Sequence, residues 1–263
     1  MYVEKRGWEL VDDLALERKF CIAAIPLMLG IAVLFKISGL GSSLQRIFLT
    51  MPVHELGHAI SAWLCGYAAI PSLWKTIIPD SRGFVAPLML LISILYMMRY
   101  AMREHSNSLF FLGLLLLILQ TIGTLALSEG TADWVVTFGG DGMGMILATV
   151  LMCTFFFGKG SQLYRGWLRW GFLMIGAAAF IDIYGTWWIA RDDVYNIPYG
   201  ETGGIKTDAW KLINFHFWSR EQLVGNYLSV GLACLISLAT VYAWGVWRVS
   251  VALRTRRQRD NEN

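Results

Sequence analysis

The chain has 263 residues, of which 56% are hydrophobic and only 16% are charged, and its net charge is +3. Soluble domains carry roughly 25% charged residues, so this composition excludes an ordinary soluble protein. It also excludes disordered, collagenous and nucleic-acid-binding proteins, which do not tolerate so much apolar content with so few charges. We therefore expect an all-α, multi-pass protein of the lipid bilayer that binds no nucleic acid.

The apolar runs predict six or seven transmembrane helices, because a membrane helix needs roughly 20 mostly apolar residues. A polar segment, residues 1–19, comes first and carries too many acidic side chains for a signal peptide. The candidate spans that follow are residues 20–35, 47–66, 83–98, 109–127, 142–158, 167–190 and 222–247. In this count the second and fifth spans run in opposite directions.

The remaining segments are short, and we expect residues 1–263 to form a single helical membrane domain. The longest extramembrane loop covers residues 191–221 and is rich in aromatic side chains, which suit a bilayer interface. Residues 248–263 form a basic C-terminal tail with five arginines, which predicts a cytoplasmic C-terminus. Seven spans would place the N-terminus outside, whereas its own basic residues favour the inside, so its side stays open.

The second span contains the pentad His54-Glu55-Leu56-Gly57-His58, an H-E-x-x-H motif. A helix turns about 100° per residue, so the two histidines lie on one face, about one turn apart. Two imidazoles placed in this way can bind the same zinc ion. Glu55 lies about 60° from His58 around the helix and can reach a water on the metal without being a ligand. The pattern predicts zinc-activated water with Glu55 as general base.

The surroundings of the pentad favour a metal site. Residues 47–74 contain no Lys, Arg or Asp, so the charged chemistry of the second span is concentrated in the two histidines and Glu55. A carboxylate at membrane depth costs a few kcal/mol or more unless it is partnered, and such residues usually serve function. The alternative is a buried polar cluster that packs helices and binds no metal.

A membrane helix with the sequence His-Glu-Leu-Gly-His-Ala resembles the site-2 protease class of intramembrane zinc metalloproteases (peptidase family M50). In that family the third zinc ligand is an Asp, usually followed by Gly, on a later membrane helix. The resemblance implies Asp141 as third ligand, in Gly139-Gly140-Asp141-Gly142 at the start of the fifth span. The small residues Gly140 and Gly144 would let that helix approach its neighbour closely, as a metal bridging two helices needs.

Two other carboxylates compete with Asp141 for the third ligand position. Glu129 and Asp133 form Glu-Gly-Thr-Ala-Asp, which resembles the Glu-x-x-Ala-Asp element of the M48 membrane metalloproteases, where the Glu is the ligand. Asp133 is itself a candidate. In the sixth span, Asp182 could orient a zinc-bound histidine or hydrogen-bond to a neighbouring helix.

The sequence thus predicts a zinc metallopeptidase whose substrates are membrane-spanning or membrane-adjacent proteins or peptides. His54, His58 and Asp141 would hold Zn²⁺, and Glu55 would be catalytic. The alternatives are a metal-binding membrane transporter or scaffold without protease activity, and a zinc protease of the M48 type.

Overall fold

The chain is almost entirely helical in the computed structural model, which describes residues 7–157, 168–202 and 205–262. The α-helices in these ranges are α1 (Gly7–Ile37), α2 (Gly39–Gln45), α3 (Met51–Leu64), α4 (Val85–Arg103), α5 (Asn107–Thr121), α6 (Glu129–Cys153), α7 (Leu168–Asp192), α8 (Asp208–Asn214) and α9 (Arg220–Glu262). The other elements are π-helical turns at Arg46–Thr50 and Ile122–Ala126, 3₁₀ turns at Thr154–Phe156 and Val194–Asn196, and two antiparallel pairs, β1 (Ile70–Pro71) with β2 (Thr76–Ile77) and β3 (Glu201–Thr202) with β4 (Ile205–Lys206).

Six of the described helices are long and apolar enough to cross a membrane, which confirms the predicted all-α, multi-pass fold. These candidate spans are Asp13–Ile37, Val85–Arg103, Asn107–Ala126, Glu129–Phe156, Leu168–Asp192 and Arg220–Glu262. Their outer surfaces expose large apolar side chains such as Leu27, Tyr96 and Phe111. A helix that faces lipid carries such side chains because hydrocarbon cannot solvate polar groups.

The predicted second span, residues 47–66, is not among them. It covers the π-helical turn Arg46–Thr50 and α3, and its helical backbone continues from α2. Pro52 follows this π-helical turn, where its missing N–H interrupts the helical hydrogen bonds. The helix ends before Gly66, whose φ of +88° is a conformation that glycine adopts without strain.

The helical backbone continues without a break from α2 through the π-helical turn into α3. Lys36, at the end of α1, donates a hydrogen bond to Thr186 near the end of α7. Gln45, at the end of α2, donates to the carbonyl of Ala178, about two turns earlier along α7. Further along the chain, Gly144 of α6 packs against both Ile183 of α7 and His54 of α3, so α3 runs in the same direction as α7 and antiparallel to α6.

The predicted fifth span begins much earlier than expected, at Glu129 rather than residue 142. Ser128 caps the helix, because its hydroxyl accepts a hydrogen bond from the backbone N–H of Thr131. The acidic side chain of Glu129, in the first turn, also interacts favourably with the positive end of the helix dipole. As a result Asp141 lies in the middle of α6 rather than at its start. The predicted end of this span at Gly158 and the start of the next at Trp167 lie outside the described residues.

Two helices, α6 and α7, form the centre of the bundle. In the most apolar stretch of each span, 56% of the residues are buried in α6 and 50% in α7, against 11% in α4 and 17% in α5. The α4–α5 hairpin is therefore peripheral. As the sequence predicted, α3 and α6 run in opposite directions, because Gly57 packs against Gly139 and Gly140 while Leu64 packs against Gly123, before α6 begins.

The beginning of α1 and the end of α9 meet on one face of the bundle. The guanidinium of Arg18 donates a 3.1 Å hydrogen bond to the hydroxyl of Ser250. Nearby, Arg169 at the start of α7 forms a two-bond ion pair with Glu17. Much of the predicted polar N-terminal segment and most of the predicted tail are thus helical extensions of these two spans, and residues 1–6 lie outside the described part.

Candidate metal centre

The two histidines of the pentad lie on one face of α3, as their spacing predicts. Their Nε2 atoms are 3.2 Å apart, and their rings meet edge to face with centroids 4.7 Å apart. The Nδ1 atom of His58 lies 2.8 Å from the backbone carbonyl of Val136 on α6. A carbonyl can only accept, so this Nδ1 carries a proton, and Nε2 is the atom of His58 that can bind a metal once its own proton is lost.

The third member of the cluster is Asp208, in the first turn of α8. Its Oδ2 atom lies 3.0 Å from Nε2 of His58 and 3.3 Å from Nε2 of His54. One ligand atom from each of these three residues lies within 4.8 Å of the other two. Among the described residues, His54, His58 and Asp208 form the group that could hold a metal ion. Thr207 positions the carboxylate, since its hydroxyl accepts from the backbone N–H of Trp210 and caps α8.

The carboxyl group of Asp208 is held in its ionised form. Burial favours the neutral acid, but the positive charge of protonated His58 and the hydrogen bonds from His54 and His58 outweigh this effect, so the pKa of Asp208 lies well below its usual range in the metal-free protein. Lys211, one turn later on α8, lies 3.3 Å from the other carboxylate oxygen. The group is therefore an anionic oxygen donor that faces two nitrogen donors.

The sequence analysis did not identify Asp208, because it lies in the loop after α7, where acidic residues are ordinarily solvated. The local signal was the capping pattern Thr207-Asp208, which marks a helix start. That signal predicts a short helix and says nothing of the long-range contact with α3.

Asp141 is brought to the pentad, as predicted, but to the far side of His54. Its Oδ1 lies 2.8 Å from Nδ1 of His54, while its Oδ2 accepts a 2.8 Å hydrogen bond from the indole of Trp187. Both oxygens thus have partners, and neither faces the pair of Nε2 atoms. This is the arrangement by which a carboxylate orients a ligating histidine.

Glu55 is buried and lies beside the cluster on α3. Its Oε2 lies 2.8 Å from the hydroxyl of Thr76 on β2, and the same hydroxyl lies 2.8 Å from the backbone carbonyl of Glu55. The β1–β2 hairpin therefore holds this carboxylate at the cavity wall. Glu55 makes no ion pair among the described residues, so it is placed as a proton acceptor without a competing cation.

Close packing of α6 on α3 depends on glycine. A Cβ atom at Gly140 would lie 2.5 Å from Nε2 of His58, and one at Gly57 would lie 2.5 Å from the carbonyl of Gly139. Real Cβ atoms do not approach so closely, so a side chain here would separate the helices or displace the imidazoles. The predicted close approach at Gly140 and Gly144 is confirmed, since both pack against α3.

The competing carboxylates lie elsewhere. Glu129 is exposed in the first turn of α6, and Asp133 lies 3.0 Å from the imidazole of His216, in the segment between α8 and α9. Both line the cavity mouth, and neither belongs to the cluster of ligand atoms in the described chain.

Of the two roles predicted for Asp182, the structure shows bonds to neighbouring helical segments and not the orientation of a histidine. It is fully buried on α7 and pairs with Lys36 of α1 and with Arg46, whose Nη1 lies 3.1 Å from Oδ2. Two cations around one carboxylate offset its cost at membrane depth. The cluster holds the end of α1 and the beginning of the π-helical turn Arg46–Thr50 against α7.

The metal cluster and Glu55 line one cavity of about 940 Å³. Its walls combine α3 and α6 with extramembrane elements, namely the β1–β2 hairpin and α8. The aromatic side chains at this wall are Tyr67, Trp74, Trp187 and Phe215.

No protein-family model, curated protein or solved structure matches the chain.

Proposed function

We propose that this protein is an intramembrane zinc metallopeptidase in which His54, His58 and Asp208 hold the metal and Glu55 is the general base. One observation carries the proposal. Three metal-ligating side chains from α3 and α8 converge within 4.8 Å in a cavity that Glu55 also lines.

The donor set suits catalytic zinc. Two imidazole nitrogens and one carboxylate oxygen are three protein ligands, which leave a position for water or substrate. When bound, zinc supplies Lewis-acid activation of water and of a scissile carbonyl. Gly140 leaves room for the two imidazoles where a Cβ atom would collide with them, so both rings can lie against α6 with their Nε2 atoms side by side.

In this proposal Glu55 accepts the proton of the attacking water and then gives it to the leaving amine. The hydroxyl of Thr76 keeps one carboxylate oxygen in place, so the other oxygen is the one that handles the proton. Burial of Glu55 limits competition from bulk water.

Asp141 has the role of orienting His54 in this proposal, with Trp187 holding the carboxylate from the other side. Such outer carboxylates fix the ring and raise its basicity as a ligand. Direct ligation by Asp141, as in the site-2 protease resemblance, is the competing assignment.

The proposed substrates are proteins or peptides that span the membrane or lie next to it. A helical substrate hides its carbonyls in its own hydrogen bonds, so it must unwind locally before it can be cut. The extramembrane hairpin and loop at the cavity provide surroundings outside hydrocarbon in which an unwound segment can be solvated. The basic tail, residues 248–263, is assigned to the cytoplasmic side on the basis of its arginines.

Zinc analysis of the detergent-purified protein tests the proposal. We expect about one zinc per chain, since three protein ligands hold a single ion, and loss of that zinc in His54→Ala and Asp208→Ala. Glu55→Gln should retain zinc and abolish peptide cleavage. Zinc without Glu55-dependent cleavage would favour a transporter or scaffold, and a zinc-free natural protein that stays folded would leave only a polar packing cluster.

A further inference from the structure

The metal centre lies in one half of the bundle. Along α6, His58 contacts Val136 and His54 contacts Asp141. Asp141 is twelve residues from Glu129, or about 18 Å along the helix, whereas the span Glu129–Phe156 has 28 residues and measures about 42 Å. The cavity reaches the surface at the Glu129 end, between the β1–β2 hairpin and α8.

Both ends of the described chain lie on the opposite face. The Arg18–Ser250 hydrogen bond joins the beginning of α1 to the last part of α9, and the Arg169–Glu17 ion pair adds the beginning of α7. α7 runs from this face to Asp192, where the chain enters the loop that carries α8. The cavity mouth and the chain ends are thus separated by the full length of α7.

The two faces differ in how many Lys and Arg residues lie close to span ends. At the face that holds the chain ends these residues include Arg18, Lys19, Arg103, Arg254, Arg257 and Arg259, whereas at the cavity face they include Arg82, Arg191 and Arg220. Acidic partners occur on both faces, as in Arg169–Glu17 and Arg191–Asp192. Lys and Arg close to span ends accumulate on the cytoplasmic side of membrane proteins. The face of the chain ends is therefore the cytoplasmic one.

We propose that the metal centre opens to the extracytoplasmic side of the membrane. Provided that the proposed peptidase function holds, the scissile bond then lies in the extracytoplasmic juxtamembrane segment of a membrane-anchored substrate. Such a segment enters between the hairpin and α8 without crossing the bilayer. Only the last turns of the substrate helix then have to unwind. They unwind at a depth where the hairpin, the loop and water can form hydrogen bonds with the freed backbone groups.

Cysteine accessibility tests this sidedness without any assay of activity. The natural protein has four free cysteines, three of them buried, so its own labelling gives the background. Four single variants of exposed positions serve as probes: Lys75→Cys, Tyr195→Cys, Glu104→Cys and Gln258→Cys. The first two lie on the cavity face, and the other two lie on the α4–α5 turn and in the last part of α9. Each full-length variant is treated with a membrane-impermeant maleimide in intact spheroplasts, then again after permeabilisation.

We expect the cavity-face thiols to react in intact spheroplasts, and the other two only after permeabilisation. All four react in detergent, which shows that each thiol is present and accessible. The reverse pattern, or equal labelling of both faces, would overturn the proposal. Zinc content is measured on the same preparations, so a protein with the expected sidedness and no zinc would contradict the peptidase function while leaving the orientation intact.

Discussion

The indole N–H of Trp187 donates a 2.8 Å hydrogen bond to Oδ2 of Asp141, deep in the bundle. The other oxygen of this carboxylate lies 2.8 Å from Nδ1 of His54. Three helices, α7, α6 and α3, are thereby joined through one carboxylate behind the imidazole of His54, a proposed metal ligand. The orientation of this ring therefore depends on side chains outside the proposed ligand set.

The chain of hydrogen bonds behind His54 predicts graded losses of zinc affinity. Asp141→Ala should weaken zinc binding by about 10–100-fold, the usual effect of removing an outer-sphere partner of a histidine ligand. Trp187→Phe, which removes only the indole N–H, should weaken it less. Competition with a chromophoric chelator measures these affinities.

Asp208→Ala is the matched comparison for these variants. Because Asp208 is a proposed ligand, its removal should abolish stoichiometric zinc binding. Asp141→Asn should retain zinc, because the amide oxygen still accepts a hydrogen bond from Nδ1 of His54. Complete zinc loss in Asp141→Asn together with full zinc in Asp208→Ala would assign the third ligand to Asp141 instead.

The contact between Thr76 and Glu55 predicts a defect in catalysis with the metal site intact. Thr76→Val keeps the shape of the side chain but removes the hydroxyl that holds Oε2 of Glu55. We expect kcat to fall about tenfold, part of the 10²–10⁴ that a positioned general base provides, with zinc content unchanged. Thr76→Ser restores the hydroxyl and should restore kcat, and equal activity of the Val and Ser variants would refute the role.

Helix contact at Gly140 predicts a strong steric effect. In Gly140→Ala the new methyl group would collide with the imidazole of His58, so we expect a stability loss of about 1–3 kcal/mol, typical of overpacking, and loss of zinc. Gly225→Ala on α9 is the control, since a Cβ there meets nothing within 4 Å. Thermal unfolding in detergent and zinc content are the two measurements, and identical behaviour of both variants would contradict the packing argument.

The ion cluster at Asp182 predicts an asymmetric response to charge removal. Asp182→Asn leaves Lys36 and Arg46 without their shared anion, which should cost about 3–5 kcal/mol, as for a broken buried ion pair. Lys36→Met should cost less, because Arg46 still pairs with the carboxylate. Chemical denaturation of the purified variants would show this order, and equal losses would mean that Arg46 contributes nothing to the stabilisation by Asp182.

Local chemistry made much of this structure predictable. The run lengths predicted the crossing helices, and the H-E-x-x-H spacing placed two imidazoles on one face because helical periodicity is a local property. Gly140 and Gly144 predicted a close approach to the pentad helix for the same reason, as small residues on one helical face permit it. These inferences needed no knowledge of distant contacts.

The errors and omissions have a common physical origin in contacts between distant parts of the chain. The length of the apolar run predicted a separate span at residues 47–66, but this helix begins earlier, with α2, and Gln45 and Arg46 bind it to distant residues of α7. Asp208 is separated from His58 by 150 residues, and no local pattern links a capped loop helix to a membrane site. Local patterns singled out carboxylates within or beside apolar runs, and Asp208 lies in the polar loop between two of them.

The proposed site is completed by a residue outside the helix pair that carries the histidines. The imidazoles of His54 and His58 lie on α3, whereas the carboxylate of Asp208 comes from α8, in the loop after α7. In the proposed metal site, a movement of α8 away from the cavity would remove one of three ligands without disturbing the transmembrane helices. Zinc affinity would then report the position of this loop.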